Sequence, residues 1–197
     1  MDERLVDPDP LVQFARWWDE ALSAGLPRAD AVALATADAA GAPSVRMVLL
    51  KGVDGRGFVF YTNYDSRKGR ELAENPRAGL AFYWAELGRQ VRVTGRSARV
   101  DTAESDAYFA TRPRESQLAA WASTQSAVIP GREVLESEFA RRVAEFDGRD
   151  VPRPPHWGGY LLEPDVVEFW MNRPGRLHDR VCYTRDGNGW RIERLSP

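Results

Sequence analysis

Short apolar segments divided by turn residues, with no regular alternation of strand and helix, constrain this chain more than any other feature of its sequence. Residues 31–36, 44–51 and 57–62 read as three successive strands, separated by Ala40-Gly41-Ala42-Pro43 and by Asp54-Gly55. Residues 77–84 and 90–100 supply two more, the second with Val91 and Val93 in alternation. Residues 160–170 and 180–195 hold at least three further strands, and Asp186-Gly187-Asn188-Gly189 is a strong hairpin signal. The pattern predicts a mostly β, antiparallel sheet or barrel with surrounding helices packed outside it, rather than a doubly wound α/β fold.

Helical signals fall between these strands. Asp9-Pro10 reads as an N-cap followed by proline in the first turn, and Leu11, Phe14, Ala15, Trp18 and Leu22 follow at helical spacing until Gly25 and Pro27 end the run. Ser66 caps a second helix that ends at Asn75-Pro76. Asp101 and Glu104 have the spacing of a capping box, opening a helix that stops near Arg112-Pro113. Another helix starts near Arg132, with Leu135, Phe139, Val143 and Phe146 on one face. Pro152, Pro154 and Pro155 form a stiff connector. We therefore expect an N-terminal helical extension over residues 1–28 and a single domain over 29–197.

Charge and cysteine content narrow the function. The net charge of −2 leaves no global footprint for nucleic acid or an anionic membrane, so any anion must be held by a local cluster. A single cysteine, Cys182, excludes an intramolecular disulfide framework and a cysteine-based zinc site, and suits a reducing cytoplasmic setting. No apolar run approaches the roughly 20 residues needed to span a bilayer, and Met1-Asp2-Glu3 lacks the start of a signal peptide. No GxGxxG, Walker A or HExxH pattern is present, and no metal is expected.

Three local clusters stand out. Residues 46–70 hold six basic side chains (Arg46, Lys51, Arg56, Arg67, Lys68, Arg70) against Asp54 and Asp65, a local charge of +4 inside an acidic protein. Read alone, this is either an anion site or a solvated basic face. Arg46 and Lys51 are an odd number of residues apart, so in a regular strand they face opposite sides and could serve two anions. Arg67-Lys68 opens a helix, where free backbone N–H groups also favour phosphate. Tyr108 and Arg112 lie four apart on one helix face, with the Ser116 hydroxyl just past the helix end, a plausible phosphate grip or a set of packing and capping residues. Arg176, His178 and Arg180 sit around a Gly/Pro-punctuated loop before a strand, where catalytic groups often lie. His156, beside Pro155 and Trp157, reads as structural.

Taken in order, Arg46 to Lys51, Tyr61 to Asn63, Ser66 to Lys68, Arg89 to Val91, Tyr108 to Gln117, Gln125-Ser126, Trp157 to Tyr160, Glu168 to Trp170 and Arg176 to Arg180 resemble the pyridoxamine/pyridoxine 5′-phosphate oxidase family, from about Ala31 to the C-terminal residues. The resemblance implies a split β-barrel homodimer with FMN bound at each of two subunit interfaces. It assigns Arg46, Met47, Tyr61, Thr62, Arg67, Lys68, Gln90, Gln125, Ser126, Trp170 and Arg180 to the cofactor, several of them from the partner subunit. Lys51, Tyr108, Arg112 and Ser116 match the substrate-phosphate site, and Arg176 with His178 matches the catalytic groups that cover the substrate ring. The implied activity is FMN-dependent oxidation of pyridoxamine 5′-phosphate and pyridoxine 5′-phosphate to pyridoxal 5′-phosphate, with oxygen as acceptor. A related flavin oxidase of secondary metabolism, of the phenazine-biosynthesis type, and a non-catalytic binder of FMN or pyridoxal phosphate are the alternatives. The Lys51 and Arg112-to-Ser116 pattern favours the first reading. One departure stands out: Met171-Asn172 replaces the Gln-Gly usual in the family, removing an amide that could bond the flavin edge.

Overall fold

Every second residue of Ala31–Ala37 (β1) is buried, Val32, Leu34 and Thr36 facing inward. The computed structural model describes residues 1–197. β1 pairs with Pro43–Asp54 (β2) and with Arg77–Trp84 (β4). β2 continues to Gly57–Asn63 (β3), and β4 to Arg89–Arg99 (β5). The long strand Trp157–Met171 (β6) then pairs with both β5 and β3, closing six antiparallel strands into a barrel. Asp179–Asp186 (β7) and Gly189–Arg194 (β8) extend the sheet from the C-terminal half of β6. The expected antiparallel barrel with external helices is therefore present, and the predicted hairpin turns through Gly187, whose φ of 55° suits glycine.

Two irregularities shape the barrel. Between β2 and β3 the register passes from Leu50↔Phe60 to Gly52↔Val59, leaving Lys51 as the extra residue of a bulge. Between β5 and β6 it passes from Thr94↔Val166 to Gly95↔Pro164, leaving Asp165 unpaired. A side chain at Gly95 would lie 2.0 Å from the carbonyl oxygen of Glu163, so only glycine fits that close approach.

The helix Pro10–Ser23 (α1) forms where predicted, with the Asp9 carboxylate accepting from the Leu11 N–H, but its C-terminal half buries Trp17 and Ala21, while Leu22 is exposed. Its face of Leu11, Phe14 and Trp17 joins the main core, where Phe14 meets Phe58 edge-on at 4.8 Å. Ser66 caps Arg67–Glu74 (α2) through the Gly69 N–H, and Asp101 caps Thr102–Thr111 (α3) through the Glu104 N–H. The reciprocal half of that capping box is missing, because the Glu104 carboxylate pairs with Arg56 instead.

Two further helical expectations need correction. Ser116 lies past the end of α3 as expected, but in the first turn of a further helix, Arg114–Ala122 (α4), and Arg112 is the extended C-cap of α3 rather than a residue on its face. Pro113 follows the C-cap of α3, where it keeps Arg112 extended, and is itself the N-cap of α4, where its missing N–H costs no helical hydrogen bond. Arg132–Glu145 (α5) forms, but Leu135 and Val143 are 38% and 43% exposed, and only Phe139 and the following Phe146 reach the small second core of Phe109, Leu118, Val151 and Trp157. No helix is long and apolar enough to cross a membrane.

Candidate functional site

A cavity of about 760 Å³ opens where β2 and β3 meet α2, α3 and α4. Arg46 and Lys51 both line this cavity, as do Met47, Val48 and Leu49 between them, so the cavity takes residues from both faces of β2; Arg46 lies on the side of the buried Leu50, and Lys51 follows Leu50 at the bulge. Met47, Tyr61, Thr62, Lys68, Tyr108, Arg112, Ser116 and Gln125 line it too, so ten of the sequence-predicted residues converge here from segments spread over about half the chain.

The cations are held in different ways. Arg46 donates to the Leu34 carbonyl at 3.1 Å, to Thr36 Oγ1 at 2.6 Å and to Glu71 Oε2 at 3.2 Å, and it also bonds Ser44. Glu71, 5% exposed, gathers Thr36, Ser44, Arg46 and Arg67 around one carboxylate. Burial alone would raise its pKa, but the Ser44 and Thr36 hydroxyls and the Arg67 and Arg46 guanidiniums outweigh it and hold the carboxyl at about 2. Arg67 itself lies outside the cavity wall; its backbone N–H donates to Ser126 Oγ at 3.2 Å, and Ser126 takes a left-handed φ of 71°. Lys51 pairs with Asp30 at 3.0 Å.

Lys68 is 8% exposed and has no carboxylate partner; Nζ donates to Gln125 Oε1 at 2.8 Å, Thr62 Oγ1 at 3.0 Å and Ser66 Oγ at 3.2 Å. Desolvation, helped by nearby Arg46, pushes its pKa down to about 8. A buried ammonium surrounded only by neutral acceptors is an environment that an incoming anion would improve. Arg112 is similar. Its Nη1 is buried without any hydrogen-bond partner, while its guanidinium lies over the rings of Trp157 and Phe109 at 4.5 and 5.5 Å. Tyr61 and Tyr108 stack at 3.9 Å beside it, and burial with Glu104 nearby raises the Tyr61 phenol to about 12.

The remaining predicted residues lie elsewhere. Gln90 pairs with Trp170, and Trp170 with Arg180, in one row across β5, β6 and β7. The adjacent row Val91, Phe169 and Val181 is fully buried, so the Gln90 row faces out of the core. Arg180 forks onto the buried carboxylate of Glu168 at 2.8 and 3.1 Å. The His178 ring lies 4.6 Å from that of Trp170, and its Nδ1 accepts from the Arg173 N–H at 3.2 Å, which leaves the proton of a neutral ring on Nε2. Arg176 is exposed, in a short 3₁₀ turn with a left-handed φ of 61°. Within one chain neither this group nor Gln90 reaches the cavity wall. His156 is structural, its Nε2 contacting the Ala120 carbonyl at 3.1 Å.

Sequence reasoning gave no role to Trp157 or Glu71. The i,i+4 spacing of Arg67 and Glu71 was a visible signal; Trp157 opened one of the motifs that carry the family resemblance, but nothing in the sequence tied it to Arg112.

A family model described as pyridoxamine 5′-phosphate oxidase matches residues 18–143, and one described as pyridoxine 5′-phosphate oxidase C-terminal dimerisation region matches residues 157–197. A pyridoxine/pyridoxamine 5′-phosphate oxidase from Burkholderia thailandensis is 58% identical over 100% of this chain and 93% of its own length. The same-named protein of Rubrobacter xylanophilus is 60% identical over 97% of this chain and 88% of its own. Among solved structures, PhzG from Burkholderia lata, in complex with tetrahydrophenazine-1-carboxylic acid, superposes with a TM-score of 0.94 at 36% identity, covering 99% of this chain and 96% of that one. A pyridoxamine 5′-phosphate oxidase-related, FMN-binding protein from Nostoc punctiforme shares the fold at a TM-score of 0.70 and 20% identity, over 91% of this chain and 97% of that one.

Proposed function

The chain belongs to the pyridoxamine 5′-phosphate oxidase family, and from that premise we propose that it is a cytoplasmic, homodimeric FMN-dependent oxidase of pyridoxamine 5′-phosphate and pyridoxine 5′-phosphate. The product is pyridoxal 5′-phosphate, with oxygen as the electron acceptor and hydrogen peroxide as the by-product; from the amine, water enters and ammonia leaves as well. The observation that carries this reading is the cavity's two separate demands for an anion: buried Lys68 with only neutral hydrogen-bond acceptors and no ion-pair partner, and Arg112 with an unpartnered Nη1. Two phosphates, one on a cofactor and one on a substrate, answer both.

The donor set fits FMN. Arg46, Arg67 and Lys68 would hold its phosphate, with Tyr61, Thr62, Gln125 and Ser126 alongside. Lys51, Tyr108, Arg112 and Ser116 would hold the substrate phosphate through charge-assisted hydrogen bonds. When bound, FMN supplies a hydride acceptor that no amino-acid side chain provides. The protein's own task is orientation and proton handling. Arg176 would position the amine or alcohol, and His178, with Nδ1 engaged by Arg173, offers Nε2 to hold or move a proton. Because Gln90, Trp170, Arg176, His178 and Arg180 lie outside the cavity of their own chain, they are available to the cavity of a partner. The matched dimerisation region, which contains four of them, supports that arrangement.

The likeness to PhzG keeps a tetrahydrophenazine-type substrate as a second reading. An anaerobic flavin-bleaching screen separates the two. Rapid bleaching by pyridoxamine 5′-phosphate, and peroxide on readmitting oxygen, is expected; bleaching by a reduced phenazine alone would favour the second reading, and by neither, a binding protein.

A further inference from the structure

We propose that Trp157 is a positioning residue that presents the Arg112 guanidinium to a phosphate monoester, and thereby sets the preference of this chain for phosphorylated over unphosphorylated ligands. The inference rests on the substrate-phosphate assignment of Arg112 made above.

Four cations line the cavity, and three have their donors engaged. Arg46 is committed to Glu71, Lys51 to Asp30, and Lys68 spends its N–H groups on Thr62, Ser66 and Gln125. Arg112 makes no ion pair, and its Nη1 is buried without a partner. What holds it is the face of Trp157, 4.5 Å from the guanidinium carbon. The difference matters chemically. A carboxylate partner would occupy the edge of the guanidinium fork, whereas an aromatic face accepts none of its N–H groups and leaves them for an oxyanion. Burial also lowers the Arg112 pKa, which marks how little else in its surroundings compensates the charge.

Trp157 is itself fixed. It is 7% exposed, opens β6 opposite Asn63 of β3, and meets Phe109 edge-on at 5.1 Å. Its ring runs nearly parallel to those of Tyr61 and Tyr108, at 13° and 4°. The backbone closes the frame: its N–H donates to the Pro154 carbonyl at 3.1 Å and its carbonyl accepts from Arg153. The platform under Arg112 is thus part of a barrel strand, and Tyr61, assigned to the cofactor, and Tyr108, assigned to the substrate phosphate, align with it.

The test is a double-substitution cycle in the FMN-loaded protein. Trp157→Leu should raise KM for pyridoxamine 5′-phosphate about tenfold with little change in kcat. Calorimetry should show a similar loss in affinity for pyridoxal 5′-phosphate and none for pyridoxal, with flavin content unchanged. Trp157→Phe, which keeps a smaller aromatic face and the packing, should lose about two- to threefold. In an Arg112→Ala background either substitution should add less than about twofold, because the residue it acts through is gone. An undiminished phosphate preference in Trp157→Phe and Trp157→Leu, or a full additional loss in the Arg112→Ala background, would overturn the proposal. If Trp157→Leu does not fold, the Trp157→Phe arm decides alone. A wild-type protein that binds pyridoxal as tightly as its phosphate would instead sink the substrate assignment, a different failure.

Discussion

Nζ of Lys68 donates to Oε1 of Gln125 across 2.8 Å, joining the first turn of α2 to the loop that follows α4. The bond places a buried ammonium against a neutral amide, an arrangement poor for stability and good for capturing an anion.

Lys68→Met should therefore strip FMN from the protein while making the cofactor-free form more stable. The sign follows from linkage. A lysine lowered from 10.5 to about 8 is deprotonated in the folded state while still charged in the unfolded one, so stability rises as pH climbs through that interval. Wild-type apoprotein should gain of order 3 kcal/mol between about pH 8 and pH 10.5 from this group, and Lys68→Met should lack that gain. Urea titrations at the two pH values check it; parallel pH dependence in both proteins would contradict it.

Glu71 behaves in the opposite sense. Its folded pKa of about 2 lies below the ordinary 4.5, so its contribution is complete above pH 4.5 and disappears as pH falls through 2. Glu71→Gln should cost roughly 2–4 kcal/mol at pH 7, with the difference from wild type closing on acidification. It should also loosen FMN, since Arg46 loses the carboxylate that aims it. Chemical denaturation at pH 7 and pH 3, with flavin fluorescence release, measures both effects.

Arg46→Ala should weaken FMN retention, whereas Lys51→Ala should chiefly raise KM for the phosphorylated substrate. Each loses a charge-assisted contact of about 1.5–3 kcal/mol, or roughly 10- to 150-fold. Equal effects of both substitutions on flavin and substrate would merge the two anion sites into one.

Arg176→Ala and His178→Ala should purify yellow with normal flavin content, yet their anaerobic reduction by pyridoxamine 5′-phosphate should be slowed at least about tenfold, some 1.4 kcal/mol. Arg176→Lys should rescue only partly, as a point-like ammonium lacks the planar fork. Wild-type reduction rates in both alanine variants would make the loop structural.

If Arg112 and His178 reach one site from different subunits, as proposed, mixing the two impaired proteins, Arg112→Ala and His178→Ala, should raise activity above that of either alone. Random reassortment of a two-fold dimer gives half hybrids, each with one intact site, or about a quarter of wild-type activity. No recovery after verified subunit exchange would place both residues in one chain's site.

Much of this was legible in the sequence. Alternation in residues 77–84 and 90–100, and side-chain caps at Asp9, Ser66 and Asp101, depend on neighbours a few positions away, and the structure has them. That Arg46 and Lys51 reach one cavity does not. It depends on how α2, α3 and α4 close over β2 and β3, which local spacing cannot reveal. The second helix after Pro113 was hidden because one proline both ends α3 and begins α4. The isolation of Arg112 Nη1 and the row of Gln90, Trp170 and Arg180 are tertiary facts, invisible until β5, β6 and β7 are in register.

The unpaired Asp165 in β6 sets the phase of everything after it. Before it the inward residues carry even numbers, Tyr160 and Leu162; after it they carry odd ones, Val167 and Phe169. Deleting Asp165 would place Val167 two positions after Pro164 instead of three, so a regular alternation would keep Val167 and Phe169 inward and Trp170 outward. An odd change of length at any paired position of the strand would instead turn the downstream row over, exchanging its outer surface for its lining. The bulge is therefore the one place in 157–170 where a single residue can be gained or lost while the cavity and the outward row of the same subunit both stay correctly aimed.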